Sequence, residues 1–267
     1  MGSNFPTIIC VTSAHRKQGK TQLVMRIVEG LTKEGFEVGT IKHIGGKSNF
    51  DNPQVKDTTR HAEAGAKLIV AVTKSEMIAI DKKEKSSLDA AIRKFPKNFD
   101  FIIVEGFKKS TYPRFIIIDK AEEIRGLNET GQVLGLTGHI AQKREELDKL
   151  DKFYPVVKEE DTDALLTIVK NHRHYQIVAT LPGENCGDCG FKDCEEMAAN
   201  LLMKKVSFDK CPHMTAELTL TVDGNQIFVK DFVQNIIRKA IEGMLETLKG
   251  IPRTPREITI HIGYEKI

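Results

Sequence analysis

The chain has 267 residues, 40 Lys+Arg against 37 Asp+Glu, a net charge of +3 and no Trp. So even a balance argues against a nucleic-acid-binding surface, and the 6% aromatic share argues against a base-stacking one. The longest apolar runs are strand-sized, so no segment is expected to span a bilayer; no leader is visible before the first strand, and the expected compartment is the cytoplasm.

The first element is an apolar run, Ile8-Ile9-Cys10-Val11, closed by Thr12-Ser13-Ala14. A polar loop follows, and Gly19-Lys20-Thr21 then opens a helical pattern. That pattern places Leu23, Val24, Ile27, Val28 and Leu31 on one face, with Gly35 at the expected stop. Strand, loop and helix N-terminus in this order form the layout of a P-loop, whose backbone N–H groups hold anionic oxygens. Lys20 is expected to reach the β- and γ-phosphates, and the Thr21 hydroxyl to sit on Mg²⁺. The expected nucleotide-binding residues are Ala14, His15, Arg16, Lys17, Gln18, Gly19, Lys20, Thr21 and Gln22. Ala14 stands where the usual pattern begins with Gly, which costs little only if φ is negative there.

Strands are expected at 37–43, 68–72 and 77–80, with a loop over 45–53, a short helix ending near Gly65, and a helix over 86–95 capped by Ser86 or Ser87. Phe101-Ile102-Ile103-Val104 is continuously apolar, as suits a central parallel strand buried on both faces. Glu105 closes it at the carboxyl end, where ligands bind in open α/β sheets, and is the candidate Mg²⁺ carboxylate. Further strands are expected at 114–119, 132–136 and 155–157, and a closing helix at 161–170. The alternation predicts an α/β, doubly wound, mostly parallel sheet.

These blocks, in this order, resemble the MobB family of molybdopterin-guanine dinucleotide biosynthesis adaptor proteins, from Ile8 to about His172. The likeness lies in Gly19-Lys20-Thr21, Val38-Gly39-Thr40-Ile41-Lys42-His43, Lys56-Asp57-Thr58 with Arg60-His61 and Ala64-Gly65-Ala66, and Val104-Glu105-Gly106-Phe107-Lys108. The resemblance implies GTP binding with weak hydrolysis, work alongside the enzyme that attaches GMP to molybdopterin, and a dimer. It also implies that Lys42 and His43 line the nucleotide or cofactor cleft and that Asp57, Arg60 and His61 form a switch-like face. Gln22 and the Gly45-Gly46-Lys47-Ser48 loop depart from common members. The Asn-Lys-x-Asp guanine signature is absent at Leu136-Thr137-Gly138-His139, so guanine over adenine rests on the resemblance alone.

A second module begins near Thr180. Cys186, Cys189, Cys194 and Cys211 follow a C-x₂-C-x₄-C-x₁₆-C-P spacing, which suits a 4Fe–4S cluster or one tetrahedral Zn²⁺. Three crowded ligands, a remote fourth followed by Pro, and Gly187 and Gly190 beside them are similar to the cluster domain of the Rnf-complex B subunit and of corrinoid iron–sulfur proteins. That resemblance implies a 4Fe–4S cluster on the four cysteines. Cys10, inside the first strand, reads as a buried small hydrophobe. The tail reads as a ββαβ unit: a hairpin about Asp223-Gly224, a helix with an apolar face from Phe232 to Leu248, and a strand at 257–262.

The expected domains are 1–173, 174–214 and 215–267. The expected function is that of a Mg²⁺-dependent GTP-binding adaptor, at most a weak NTPase, with Lys20, Thr21 and Glu105 at the phosphates and a molybdopterin nucleotidyltransferase or molybdoenzyme as partner. Two alternatives remain at this point: an ATP-dependent electron-transfer activator of a partner metallocofactor, and an iron–sulfur scaffold with a degenerate P-loop.

Overall fold

The computed structural model describes residues 5–44, 56–82, 86–150, 154–214, 218, 220–222, 225–227, 229, 231–248, 258 and 260. The chain divides into two compact units between residues 176 and 177. In chain order the first unit runs β1 (Thr7–Ser13), α1 (Lys20–Lys33), β2 (Val38–Lys42), α2 (Lys56–Glu63), β3 (Leu68–Val72), β4 (Met77–Asp81), α3 (Leu88–Ile92), β5 (Phe101–Glu105), β6 (Arg114–Ile117), β7 (Val133–Thr137) and α4 (Arg144–Leu147), and most of α5 (Thr162–Thr180). The fold is α/β, and its main sheet has the order β2-β5-β1-β6-β7 with every pairing parallel. β1 lies in the middle, between β5 on one side and β6 on the other, so the loop leaving it emerges where the order reverses, as ligand crevices in such sheets do.

The core follows from the apolar runs. Phe101, Ile102, Ile103 and Val104 are buried on both faces of β5. Leu23, Val24, Ile27 and Leu31 bury one face of α1. α1 also accepts α5 at close range, since a Cβ on Gly30 would lie 2.6 Å from Leu166 Cδ1. The buried Arg173 of α5 donates to the Asp100 carbonyl (2.7 Å) and Thr7 Oγ1 (3.3 Å), pairs with Asp100 Oδ1 at 3.3 Å and lies over the Phe101 ring. A pair desolvated this fully needs such added hydrogen bonds to offset its burial.

Three expectations change. The runs at 68–72 and 77–80 do form strands, but as a separate antiparallel pair, β3–β4. The Thr73–Glu76 turn is too short for a parallel crossover, and the Thr73 hydroxyl accepts the Ser75 and Glu76 N–H groups to close it. One face of this hairpin is open: Leu68, Val70, Val72 and Met77 are exposed while Ile69 is buried. The strand expected at 155–157 is a single bridge between Val156 and Leu136, since Pro155 has no N–H to extend a ladder. The helix expected to end near Lys170 continues to Thr180, because no breaker occurs before Pro182-Gly183.

The second unit takes the last turn of α5, α6 (Cys194–Leu202), the antiparallel pair β8 (Leu220–Val222) and β9 (Asn225–Ile227), and α7 (Asp231–Glu246). Asp193 caps α6 by accepting the Glu196 N–H at 2.8 Å. The predicted turn at Asp223-Gly224 and the predicted strand at 257–262, save 258 and 260, lie outside the described residues, as does the expected loop over 45–53. The predicted apolar face of α7 leaves Phe232, Ile236 and Met244 exposed, with Leu248 exposed just beyond it; among the described residues the side chain buried on that helix is Gln234, which donates to the Val229 carbonyl. No helix among the described residues is long and apolar enough to cross a membrane.

Candidate functional site

The loop between β1 and α1 is closed by its own polar groups. Ser13 Oγ donates to the His15 carbonyl at 2.6 Å, and the His15 N–H donates to Gln18 Oε1 at 2.7 Å. Lys17 and Gly19 take the left-handed region at φ 64° and 77°, whereas Ala14 is not among the positive-φ residues. The turn therefore places its left-handed residues away from Ala14, and the missing first Gly carries no strain. Gly19 is required at its place: a Cβ there would meet Glu159 Oε2 at 3.3 Å with φ still positive. Gly19 caps α1 with no side-chain acceptor, leaving the first-turn N–H groups directed at the loop's concavity.

Lys20 Nζ bridges this concavity, donating to Ser13 Oγ (2.5 Å) and the His15 carbonyl (3.1 Å). Burial, then the nearby Lys108 and Lys42 charges, push its ammonium pKa down against the opposing pull of Glu105. Thr21 Oγ1 donates to Glu105 Oε2 at 3.0 Å, and Lys42 Nζ lies 3.2 Å from the same oxygen. Sequence register explains the meeting: Glu105 pairs with Val11 on one side and with Lys42 on the other. A hydroxyl and a carboxylate this close are hard oxygen donors of the kind Mg²⁺ takes, with Lys42 as the competing cation. Arg16 and Gln22 are exposed beside the loop, and Gln18 Nε2 donates to Asp119 Oδ2 and Glu123 Oε2 at 3.3 and 3.2 Å. His43 follows β2, its N–H bonded to the Glu105 carbonyl and its ring 4.7 Å from that of Phe107. Arg60 and His61 are exposed on α2, and the Asp57 side chain lies outside what is described.

Three features here were not singled out from sequence. Lys108 Nζ donates to the Ala14 carbonyl at 2.7 Å, tying the segment after β5 to the loop. Arg114 is fully buried and donates to the carbonyls of Lys108 and Ser110, fixing that same segment from below. An arginine inside a strand pattern reads as an edge residue, so only the fold shows that it faces inward. The third is Glu159, half-buried against Gly19, whose carboxyl pKa is pushed up by burial and then by Glu160. The loop separates two cavities. One, of about 310 Å³, touches Lys17, Gln18, Gly19, His139 and Glu159. The other, of about 1120 Å³, touches Ala14, Arg16, Lys20, His43, Phe107 and Lys108.

In the second unit, all four of Cys186, Cys189, Cys194 and Cys211 line one small cavity of about 10 Å³. All are free thiols. Gly187 and Gly190 are left-handed, and the Gly190 N–H donates to the Gly187 carbonyl, making the tight turn between the first ligands. Asn185 Oδ1 accepts the Cys194 N–H at 3.0 Å, holding the third cysteine at the N-terminus of α6. Burial raises the Cys211 thiol pKa first, and the Cys189 and Cys194 sulfurs nearby raise it further. Four thiols lining one cavity are a donor set that suits a metal or cluster, whose positive charge favours the thiolates that burial opposes. A neighbour that sequence reading missed is His213, whose Nε2 lies 2.8 Å from Asp188 Oδ2; with Cys186 these form a further group able to hold a metal ion.

Residues 8–136 match the family described as molybdopterin guanine dinucleotide synthesis protein B, MobB. Residues 181–213 match a family described as a candidate Fe-S cluster domain. A Methanocaldococcus jannaschii protein described as a candidate molybdopterin-guanine dinucleotide biosynthesis adapter is 26% identical over 254 residues, covering 95% of this chain and 96% of the relative. A Bacillus subtilis protein described as a probable adapter of the same kind is 28% identical over 148 residues, 54% of this chain and 80% of the relative. The crystal structure of Bacillus subtilis MobB superposes with a TM-score of 0.50 at 24% identity over 61% of this chain and 98% of that one, a likeness of fold. The first unit of this chain is thus similar to the MobB family over residues 8–136, and residues 181–213 to the Fe-S cluster family.

Proposed function

We propose that the chain is a Mg²⁺-dependent GTP-binding adaptor of molybdopterin-guanine dinucleotide formation, carrying a 4Fe–4S cluster on Cys186, Cys189, Cys194 and Cys211. The observation that carries the nucleotide reading is the convergence of Lys20, Thr21 and Glu105 around one helix N-terminus, reached from α1 and β5. The loop N–H groups and Lys20 hold the phosphates, and Thr21 and Glu105 hold Mg²⁺, which supplies charge neutralisation between the phosphates. The nucleoside takes the 310 Å³ cavity, where Glu159 supplies the acceptor that guanine's N1–H and N2–H₂ require and adenine's N1 does not. No described side chain beside Lys20 is placed as a base for water, so hydrolysis is slow and the protein acts by binding. The relatives' names support the partner: an enzyme that joins a nucleotide to molybdopterin. The open face of β3–β4 supports a homodimer.

The test is calorimetric titration of the full chain with GTP and ATP, each with and without Mg²⁺. One GTP per chain, Mg²⁺-dependent and at least tenfold tighter than ATP, is expected, about 1.4 kcal/mol of preference. Absence of any binding would leave only an iron–sulfur scaffold. Equal ATP binding with a nucleotide-dependent shift of the cluster's potential would favour an electron-transfer activator.

A further inference from the structure

We propose that the 1120 Å³ cavity on the β5 side of the P-loop is a second ligand site, built for a phosphorylated planar heterocycle bound beside the nucleotide's terminal phosphate. The inference rests on the reading of Lys20 as the nucleotide's phosphate anchor.

The argument is first one of space. The P-loop parts the carboxyl edge of the sheet, and the cavity on the β6–β7 side, about 310 Å³, is already nucleoside-sized. The larger cavity begins at Lys20, where a terminal phosphate would end, and extends to Leu88 and Tyr112. At about 1120 Å³ it lies above the usual range for a whole drug-sized ligand, about 300–1,000 Å³, so one phosphate cannot account for it.

Charge narrows the ligand. His15 and Arg16 enter from the loop, His43 from the end of β2, and Lys108 and Lys109 from the segment after β5. Asp89 is the one acid among the described lining residues, and it already accepts the Tyr112 hydroxyl at 3.1 Å. Burial, then Asp89, pushes the Tyr112 phenol up to about 12, so it remains a donor at neutral pH. A lining with this excess of cations selects an anion, and Lys and Arg side chains in one cavity suit phosphate.

Shape supplies the ring. Phe107 and His43 stand with centroids 4.7 Å apart at 43°, and Leu88 and Tyr112 extend the apolar wall. Phe107 is held at φ 53° directly after Gly106 at φ 98°, a conformation a phenylalanine takes only when its surroundings impose it. The imposing groups are on the page: Lys108 on the Ala14 carbonyl, and buried Arg114 on the carbonyls of Lys108 and Ser110. Phe107, Lys108, Lys109 and Tyr112 are therefore preorganised on one segment, which His15, Arg16 and His43 face across the cavity.

The experiment titrates pyridoxine 5′-phosphate, followed by its own fluorescence, into the full chain with and without saturating GTP and Mg²⁺. Pyridoxine and ribose 5-phosphate serve as the ring-only and phosphate-only controls. One probe per chain is expected, with GTP changing its affinity less than twofold and each control binding at least tenfold more weakly. Lys109→Glu and Phe107→Leu should each weaken the probe about tenfold and leave GTP binding within twofold. Competition between probe and GTP overturns the proposal, because the cavity is then the nucleotide's own. So does GTP binding with no probe binding, or probe binding indifferent to both substitutions. Probe binding without any GTP binding fells the nucleotide reading instead and leaves the cavity as an anion site.

Discussion

The two units hold their sites in opposite ways. In the P-loop unit the core is complete without the site: β1, β5 and β6 are buried except at Ile8 and Glu105, and Lys20, Thr21 and Glu105 sit on the rim. In the cysteine unit the site is part of the core. Its buried cluster is Ile177, Leu181, Met197, Ala198 and Leu201 together with Cys189 and Cys211, and Cys194 packs against it. So small a core rarely suffices alone, and metal binding then becomes folding free energy. The lesson is that loss of a ligand should cost the first unit its activity and the second its structure.

The largest effect expected from this contrast is Cys189→Ser or Cys211→Ser. Either should abolish the brown colour and the roughly four irons per chain of anaerobically purified protein, assuming one cube fills the site. It should also remove the protease resistance of residues 177–214 while that of 5–176 persists. One equivalent of zinc in colourless wild-type protein would instead assign a tetrahedral site. If protease resistance of both segments survives in a variant lacking iron, the contrast is broken.

Lys20→Ala probes the other side. Truncating one partner of a charged pair costs about 2–5 kcal/mol, so GTP affinity should fall about 30-fold or more. The melting temperature should stay close to wild type, because among the described residues the Lys20 ammonium donates to Ser13 Oγ and the His15 carbonyl, both on the loop's own rim. A large drop in melting temperature would show that the rim is structural after all.

Arg114→Met sharpens the comparison, since Arg114, like the Arg173–Asp100 pair, is a charge that the P-loop unit does bury. It leaves the carbonyls of Lys108 and Ser110 without their donor in a fully buried position. About 3 kcal/mol should be lost, or about 6–12 °C in melting temperature for a chain of this size. The smallest effect concerns assembly: Val72→Lys on the open β3–β4 face should shift light scattering from dimer toward monomer without altering GTP affinity. An unchanged dimer would place the interface elsewhere.

Several features were readable in the residues because they are local or periodic. The apolar run Phe101–Val104 needs both faces covered, which requires a central strand. The i, i+3, i+4 face of Leu23, Val24, Ile27 and Leu31 fixes a helix directly after Gly19-Lys20-Thr21. The cysteine spacing is likewise covalent arithmetic. The β3 run Leu68-Ile69-Val70-Ala71-Val72 misled for the same reason: apolar continuity says nothing of which sheet a strand joins, and the short turn at Thr73–Glu76 decided that. The α7 stripe has the same limit, since periodicity shows a face but not what covers it.

By itself, then, the sequence determined the order of elements, the placement of Lys20 and Thr21 at a helix N-terminus, and the four-cysteine set, because each depends on neighbours within a few residues or on chemical type alone. Only the tertiary structure decided that Glu105 meets Thr21, that Lys108 and Arg114 hold the segment beside the loop, that Glu159 faces Gly19, and that two cavities flank it. Those contacts join residues up to 140 positions apart. They are set by strand order and register, which no local pattern encodes.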